Sequence, residues 1–284
     1  MRALILGGGG QLASDLQSQL GECACSYSHA EVDIGDPAAV DRAYADVQPD
    51  VVFNCAAFHN VDVCETERAQ AWRINVDAVQ DLARRGVPLV HVSTNYVFDG
   101  EGDDPYGEED LPRPQSVYAL TKLAGEHAAL AYGERTLVVR SAGLYGLHGS
   151  ASKGGNFVQR MVARAREQGS LRMVADQRLQ PTYTADLADA IIAAVRSEAT
   201  GVVHLTAGGA CSWLEFTEAI MREVGIDVPI EPVTTTVPEG GAQRPLNGVL
   251  ARPRADALGL PALRDWREAL ADYVRTAGLV PSST

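Results

Sequence analysis

Tyrosine and lysine stand four residues apart in Tyr118-Ala119-Leu120-Thr121-Lys122, a spacing that places both side chains on one face of a helix. Such a pair can transfer a proton. The pKa of free tyrosine, about 10, is too high for efficient proton exchange near neutrality, and a nearby ammonium lowers it by stabilising the phenolate. Because the same spacing occurs on ordinary helix surfaces, the pair indicates chemistry only together with a third group.

The third group is found in Ser93-Thr94, whose side chains carry hydroxyls. These residues follow the apolar run at residues 89–92, and that run predicts a strand. Side chains at the carboxyl end of a strand in an open parallel sheet lie where ligands bind. A ketone that accepts a hydride becomes an alkoxide, which Tyr118 would protonate while Thr94 holds the carbonyl oxygen. We therefore expect Thr94, Tyr118 and Lys122 to catalyse reduction of a carbonyl group, with the hydride coming from a bound cofactor.

A glycine-rich turn at the start of the chain can bind such a cofactor. The sequence Gly7-Gly8-Gly9-Gly10-Gln11-Leu12-Ala13 lies between an apolar run and a segment of helical period. Glycines let the backbone approach a pyrophosphate, and the N-terminus of a helix offers free N–H groups to the phosphates. The turn therefore predicts a dinucleotide site, although a tight connection between a strand and a helix would also use glycines.

Further cofactor contacts are expected where other strands end. Asp33-Ile34 would meet the adenine, and a helix-capping turn explains the same residues equally well. The second predicted strand ends in Ser26-Tyr27-Ser28-His29 without an acid for the ribose 2′-hydroxyl before Glu31, which favours NADPH and leaves NADH open. The expected cofactor contacts are Gly7, Gly10, Gln11, Leu12, Asp33, Ile34, Cys55, Ala56, Ala57, Ser93, Tyr118 and Lys122.

The elements that must position these residues alternate between short apolar runs and segments of helical period. This alternation predicts an α/β fold, a doubly wound parallel sheet of the Rossmann type with a smaller α/β substrate-binding domain. Helices are predicted over residues 11–20, 36–47, 65–84 and 117–132, a loop over 149–155, and a strand at 202–205 that returns to the sheet edge. The dinucleotide-binding domain would comprise residues 1–145 plus about 186–205, and the substrate-binding domain residues 146–185 plus 206–284.

Composition narrows the function classes. The 284 residues carry a net charge of −13, which argues against nucleic acid as a partner because phosphate backbones are bound by basic surfaces. No apolar stretch approaches the ~20 residues that cross a membrane, and no signal peptide precedes the first strand, so a cytoplasmic protein is expected. The five cysteines lack disulfide or zinc spacing, and no metal site is predicted.

Ordered motifs along nearly the whole chain resemble those of the extended short-chain dehydrogenases/reductases, and within them the dTDP-4-dehydrorhamnose reductases. These motifs include Gly10-Gln11-Leu12, Val61-Asp62, Ser93-Thr94-Asn95-Tyr96, Tyr118 with Lys122, Gly155-Asn156-Phe157-Val158 and Arg244-Pro245. The resemblance implies an NAD(P)-dependent oxidoreductase that reduces the 4-keto group of a nucleotide-linked 6-deoxysugar. It implies the same catalytic residues, and substrate contacts at Thr94, Asn95, Asn156 and Arg244, the last at the diphosphate.

Relatives can pair through a carboxylate-bound metal, for which Asp15 and Asp186 are candidate remnants, and a homodimer stays open.

The departures from the family pattern cluster around the expected sugar pocket. Asn95 replaces a usual aspartate, Val63 a usual lysine and Gly143 a usual tryptophan, while Phe58-His59-Asn60 differs from a usual tyrosine–threonine pair. Two hypotheses follow: a rhamnose-pathway reductase with a wider pocket, or a reductase of another 4-keto-deoxysugar, to which His59 and Asn60 would supply new hydrogen bonds. A non-catalytic NADP-binding regulatory subunit and an epimerase or dehydratase are the competing classes.

Overall fold

The computed structural model describes residues 1–148 and 155–280, and six of its strands form one parallel sheet. The strands are β1 Ala3–Gly8, β2 Ala24–Ser28, β3 Val51–Asn54, β4 Leu89–Thr94, β5 Thr136–Ser141, β6 Leu144–Tyr145, β7 Leu171–Val174, β8 Arg178–Leu179, β9 Thr182–Tyr183, β10 Gly201–His204, β11 Cys211–Ser212 and β12 Ile230–Val233. The large sheet has the order β2-β1-β3-β4-β5-β10. The predicted doubly wound sheet is confirmed, and β10 returns to its edge beside β5 as expected.

Helices cover both faces of this sheet and build a second lobe. They are α1 Gln11–Leu20, α2 Pro37–Val47, α3 Val61–Thr66, α4 Arg68–Trp72, α5 Ala78–Ala83, α6 Val117–Tyr132, α7 Phe157–Gln168, α8 Thr184–Arg196, α9 Trp213–Val224, α10 Pro253–Ala257 and α11 Trp266–Thr276. A five-residue π-helix, Arg73–Asp77, joins α4 to α5. Within the described ranges, no helix combines the length and the apolar character needed to cross a bilayer.

Two hydrophobic clusters flank the sheet. One packs α1 and α8 against it through residues such as Leu16 and Ile191, and the other packs α2 and α5 through residues such as Leu82. Neighbouring strand residues alternate between them, since Leu4 belongs to the second cluster and Ile5 to the first. The strands are continuously apolar because both faces of the sheet are covered.

The winding of the sheet reverses at β1. Strand β2 pairs with one side of β1, and the chain then crosses to place β3 on the other side. In open sheets of this kind the reversal leaves a crevice outside the carboxyl ends of the two central strands. The residues predicted to bind cofactor after β1 and β3, and those predicted to act after β4, therefore lie along one edge of the sheet.

The single helix predicted over residues 65–84 is wrong. Glu67 separates α3 from α4 because its backbone, at φ −98° and ψ 47°, leaves the helical region. The π-helix then widens one turn at Asn75, whose side chain accepts from Phe58 N–H at 2.9 Å and donates to Phe58 O at 3.1 Å. These two bonds tie the segment after β3 to the helix layer, and this tertiary contact overrides the local helical pattern.

A third hydrophobic cluster builds the second lobe from α7, α9 and α11, with Phe216, Trp266 and Tyr273 among its buried aromatic residues. We propose that this lobe is the substrate-binding domain expected over residues 146–185 plus 206–284. Residues near α10 depart from that boundary, because Ala255 and Leu260 pack into the cluster on the sheet. Residues 149–154, which make up most of the predicted 149–155 loop, and residues 281–284 lie outside the described residues.

Candidate active site

The glycine turn, Gly7–Gly10, lies at the carboxyl end of β1 and leads directly into α1. Gly7 and Gly9 have φ angles of +91° and +79°, which side chains rarely adopt. Gly10 precedes the first turn of α1, where no side chain caps the helix. A helix N-terminus without a side-chain cap leaves N–H groups for an anion. The expected contacts Gly7, Gly10, Gln11 and Leu12 therefore stand where a pyrophosphate fits.

The segment after β3 supplies the facing wall. A Cβ built on Gly7 would lie 2.7 Å from Ala56 N and 2.9 Å from the Cys55 carbonyl carbon, so the two loops are in direct contact. Asn54 holds this segment by accepting from Ala56 N–H at 3.2 Å. Burial raises the pKa of the Cys55 thiol to about 12. Cys55, Ala56 and Ala57 thus form a neutral wall of small side chains beside the glycine turn.

A carboxylate reaches the carboxyl end of β2, which the strand sequence alone did not show. Ser28 donates from both its backbone N–H and its hydroxyl to Glu31 Oε2, each at 2.7 Å, and these bonds hold the pKa of Glu31 below its usual value. His29, the basic residue that follows β2, has a side chain that is 80% exposed. In dinucleotide-binding folds an acid near this strand end can meet the ribose 2′-hydroxyl.

Asp33 and Ile34 are largely committed to internal contacts. The Asp33 carboxylate accepts from Gly35 N–H and from Arg73 Nη2, both at 2.9 Å, and Ile34 is buried in the cluster under α2. Of the two interpretations of this pair, the contacts favour a turn closed by its own aspartate. A contact with adenine stays a prediction.

Tyr118 and Thr94 meet at the carboxyl end of β4. Ser116 accepts from Ala119 N–H at 3.2 Å and begins α6 just before Tyr118. The Tyr118 hydroxyl is hydrogen-bonded to Thr94, and its ring lies edge-on to Tyr96 with centroids 6.0 Å apart. Burial raises the pKa of Tyr118 above its usual value, and the bond with Thr94 offsets part of that rise. The hydroxyl is therefore a neutral, oriented proton donor.

Lys122 follows one helical turn later and is buried. Its Nζ donates to Val92 O at 2.7 Å and lies 3.3 Å from His91 Nε2. Burial lowers the pKa of Lys122 to about 8, and the Glu126 carboxylate opposes that shift. The structure thus places Tyr118 against Thr94 and Lys122 one turn further along α6, and their catalytic role stays a prediction.

The side chain of Ser93 turns away from the cofactor crevice. Its hydroxyl donates to Glu126 Oε1, and Arg140 forks onto the same carboxylate, with Nη2 2.7 Å from Oε2 and Nε 3.0 Å from Oε1. The Arg140–Glu126 pair is almost fully buried, so its partners satisfy charges that would otherwise be costly. The hydroxyl of Ser93 is therefore engaged inside the protein, and the expected contact between Ser93 and a cofactor stays a prediction.

Arg244 lies at the mouth of the site and bridges separate parts of the chain. Its Nη2 is 2.7 Å from Asp62 Oδ2, its Nη1 donates to Ala242 O at 3.2 Å, and it is hydrogen-bonded to Tyr96. Hydrogen bonding from Arg244 holds the pKa of Asp62 below its usual range. Arg244 also lines a cleft of about 390 Å³ whose wall includes Tyr96, Phe157 and Trp213.

Two predicted substrate contacts are engaged inside the protein. Asn95 Nδ2 donates to Gly248 O at 2.9 Å, a bond that the family's usual aspartate could not donate. Asn156 caps α7 and uses both amide hydrogens, on Gly146 O at 2.6 Å and on the Tyr273 hydroxyl at 2.7 Å. Asn156 therefore has no amide hydrogen left for a sugar, whereas Asn95 uses one of its two on Gly248.

The comparisons with known proteins agree with this geometry. Residues 1–278 match the model of the RmlD substrate binding domain family. A probable dTDP-4,6-dihydroxy-2-methyloxan-3-one 4-ketoreductase of Streptomyces antibioticus is 39% identical to this chain. The match covers 95% of this chain and 93% of that protein. The dTDP-4-dehydrorhamnose reductase of Bacillus anthracis, solved in complex with NADP, is 30% identical to this chain. The structural match covers 97% of this chain and 99% of that protein, with a TM-score of 0.90. The chain belongs to the RmlD substrate binding domain family.

A second relative shows the breadth of the RmlD family. The spore coat polysaccharide biosynthesis protein SpsK of Bacillus subtilis is 37% identical and covers 96% of this chain and 97% of its own. Membership in the RmlD family confirms the resemblance inferred from the ordered motifs.

Several site residues of this RmlD-family chain were missed from the sequence. Asn54 and His91 lie in β3 and β4 beneath the catalytic groups, and Glu126 and Asp62 hold Arg140 and Arg244. One signal was present, since Asn54 and His91 are polar residues in otherwise apolar strand runs. Such residues are expected to have buried hydrogen-bond partners.

Of the two candidate dimer carboxylates, one is bound by an arginine of the same chain and the other is buried. Both oxygens of Asp186 accept from Arg264 at 2.8 Å, and Asp15 is buried in α1. Across residues 1–148 and 155–280, no three His, Cys, Asp or Glu side chains are grouped so that they could hold a metal ion.

Proposed function

We propose that the chain is an NADPH-dependent reductase of the 4-keto group of a dTDP-linked 6-deoxysugar. The observation that carries this proposal is the hydrogen bond between Tyr118 and Thr94, with Lys122 one helical turn away, beside a glycine turn that fits a dinucleotide. The names of the relatives support it, because they include a 4-ketoreductase and a dTDP-4-dehydrorhamnose reductase solved with NADP.

The chain offers the cofactor a cradle that side chains would block. A Cβ on Gly7 would meet the backbone of Ala56, and α1 begins without a side-chain cap. NADPH, when bound, supplies the hydride. The glycine turn and the N–H groups of Gln11 and Leu12 would hold its pyrophosphate, and the small wall at Cys55 and Ala56 would let it approach the sheet.

The residues between β4 and α6 handle the carbonyl oxygen and its proton. Thr94 would hold the ketone oxygen by a hydrogen bond, so that the oxygen meets the Tyr118 hydroxyl. Tyr118 gives its proton to this oxygen as negative charge develops on it. Lys122 then stabilises the remaining phenolate, and an ammonium at about 4 Å contributes up to about 4 kcal/mol at an effective dielectric of about 20.

The cleft beside Tyr96 suits a nucleotide diphosphate. Arg244 presents a guanidinium at the edge of this cleft. Phe157 and Trp213 line the cleft wall, and the centroids of their rings are 4.5 Å apart. A guanidinium matches phosphate oxygens, and aromatic rings bind a flat base. We therefore place the diphosphate of the substrate at Arg244 and its base against these rings.

A second candidate is a reductase whose 4-keto sugar differs from dTDP-4-dehydrorhamnose. Three departures from the family pattern take part in internal contacts of this protein. Asn95 binds Gly248 O, Asn60 caps α3 by accepting from Val63 N–H at 3.3 Å, and Gly143 has a φ of +58° with Leu179 Cδ1 only 2.9 Å from an added Cβ.

Consumption of NADPH in the presence of dTDP-4-dehydrorhamnose tests the proposal. Tyr118→Phe should lower kcat by about 10²–10⁴-fold, because the general acid is lost, while NADPH binding measured by its fluorescence should persist. Tyr132→Phe, an exposed position at the end of the same helix, is the matched control and should keep full turnover.

The other outcomes separate the alternatives. Turnover only with a different dTDP-4-keto sugar supports the second candidate. Binding of NADPH without consumption on any 4-keto sugar contradicts a reductase and supports a non-catalytic NADP-binding subunit.

A further inference from the structure

His91 lies beneath Lys122 and has no part in the chemistry proposed above. It is fully buried in β4, between Asn54 of the neighbouring strand and Lys122 of α6. Its Nδ1 is 3.2 Å from Asn54 Nδ2, and its Nε2 is 3.3 Å from Lys122 Nζ. Because each ring nitrogen faces another nitrogen, the positions of the protons on the three side chains are linked.

The orientation of the Asn54 amide decides the tautomer of His91. Ala56 N–H donates to Asn54 Oδ1 at 3.2 Å, which turns Nδ2 and its hydrogens toward the imidazole. His91 Nδ1 must then accept, and the one proton of a neutral ring resides on Nε2. Burial and the charge of Lys122 keep the ring neutral, with a pKa well below its usual value.

The Nε2–H bond of His91 consequently points at Lys122 Nζ. A charged ammonium at this place would set two donors against each other, which is costly in a buried site. A neutral amine can accept from Nε2–H and still donate to Val92 O, 2.7 Å away. The local hydrogen bonding therefore favours the uncharged form of Lys122.

We propose that His91, held as the Nε2–H tautomer by Asn54, is a positioning residue that destabilises the charged form of Lys122 and so lets Lys122 gain and lose a proton during the cycle. The role in the cycle rests on the proposed function. After Tyr118 has protonated the product oxygen, one proton moves from the Lys122 ammonium to the Tyr118 phenolate. The neutral amine that remains accepts from His91 Nε2–H until Lys122 takes another proton from solvent.

The surroundings of Lys122 contain influences that favour its charged form and influences that favour its neutral form. The Glu126 carboxylate, one turn along α6, favours the ammonium, but Ser93 and Arg140 already bind that carboxylate. Cys55, after β3, is a neutral thiol because burial raises its pKa to about 12. Burial itself disfavours the charged lysine, and His91 adds a directed donor to that general effect.

The composition of the chain allows a direct test. Lys122 and Lys153 are its two lysines, so Lys153→Arg leaves a protein whose only lysine is Lys122. In such a protein labelled with ¹³C- and ¹⁵N-lysine, nuclear magnetic resonance follows the titration of Lys122 without substrate. We expect a pKa of about 8 in the parent protein.

Two variants in the same background should raise that pKa by about one pH unit or more, the effect of removing an opposed donor. In His91→Gln a carbonyl oxygen can accept from the ammonium. In Asn54→Asp the carboxylate can accept from His91 Nδ1–H, which frees Nε2 to accept from Lys122. His127→Gln, an exposed position on α6, is the control and should leave the pKa unchanged.

The titration tests the role of His91, and the turnover assay tests the proposed function. A parent pKa near the ordinary value of about 10.4, or an unchanged pKa in both folded variants, overturns the role of His91 whatever the enzyme reduces. A raised pKa without any turnover by the parent protein contradicts the proposed function and leaves the effect of His91 on Lys122 intact. As a further readout, the pH at which NADPH affinity falls should move upward with the pKa of Lys122.

Discussion

Lys122 carries the pH dependence expected of the reaction. Its charged form is needed beside Tyr118, and burial brings its pKa down to about 8. As the pH rises through that value the ammonium is lost, so kcat/KM for reduction should fall about tenfold per pH unit on the basic side. A profile of kcat/KM against pH checks this, and activity that stays level well above the pKa of Lys122 would contradict it.

Glu31 is the residue expected to tune the choice between NADPH and NADH. Its carboxylate, held by Ser28 at the end of β2, can accept from a ribose 2′-hydroxyl but repels a 2′-phosphate. Glu31→Gln should therefore tighten NADPH binding several-fold and leave NADH binding equal or weaker. Binding titrations with both cofactors measure this, with Glu22→Gln just before β2 as the control that removes the same charge at the opposite end of the strand.

An equal effect of Glu31→Gln and Glu22→Gln on NADPH would show that overall charge, not the position of Glu31, sets the affinity. Equal tightening of NADPH and NADH by Glu31→Gln would show that Glu31 does not face the 2′ position.

At the scale of elements, the contact between the glycine turn and the segment after β3 depends on the absence of one side chain. Gly7 and Gly9 both have positive φ, so alanine costs about 1–2 kcal/mol of backbone strain at either. Only at Gly7 would the Cβ meet backbone atoms, at 2.7–2.9 Å, whereas nothing lies within 4 Å at Gly9. Gly7→Ala should therefore lose a further 1–3 kcal/mol or so of the free energy of unfolding.

Denaturant unfolding of the two variants beside the parent protein measures the difference. Equal losses at the two positions would mean that the loops separate to admit a side chain, which would remove the close approach as the reason for the glycine.

Elements defined by local pattern could be predicted from the sequence, and those defined by distant partners could not. Helix α6 begins and ends where predicted, at Val117 and Tyr132, because its cap and its spacing are local. The π-helix within the predicted 65–84 helix contains Asn75, which binds Phe58, and the pattern of neighbouring residues does not pair these two residues. The sequence also predicted Thr94 at the carboxyl end of β4, where ligands bind in such sheets, and Tyr118 and Lys122 on one face of α6.

The same limit applies to site residues. Asn95 and Asn156 have polar side chains in matching motifs, and their partners lie 153 and 117 residues away in the sequence. Those long-range contacts decide which polar groups form hydrogen bonds inside the protein. The sequence alone therefore could not show that the two asparagines differ from Arg244, which lines the cleft.

At the scale of the whole molecule, the site is assembled across its two lobes. Arg244 and Asp62 are 182 residues apart and form an ion pair beside Tyr96. Arg244→Gln should raise the substrate KM about 10–100-fold, because a charge-assisted hydrogen bond to the diphosphate contributes about 1.5–3 kcal/mol. NADPH affinity, measured in the same variant, should not change, and an equal loss of both affinities would place Arg244 at the cofactor instead.

Asp62 should act in the opposite direction, because it competes with the substrate for the same guanidinium. The pair is partly exposed, with side-chain exposures of 32% for Arg244 and 55% for Asp62, so breaking it costs only about 0.2–1 kcal/mol. Asp62→Asn removes that competing charge and should lower the substrate KM by up to about fivefold at low salt, with less effect at high salt. Steady-state kinetics at two ionic strengths measure both effects. A raised KM would instead mean that Asp62 orients Arg244 toward the diphosphate, since the loss of orientation would then outweigh the loss of competition.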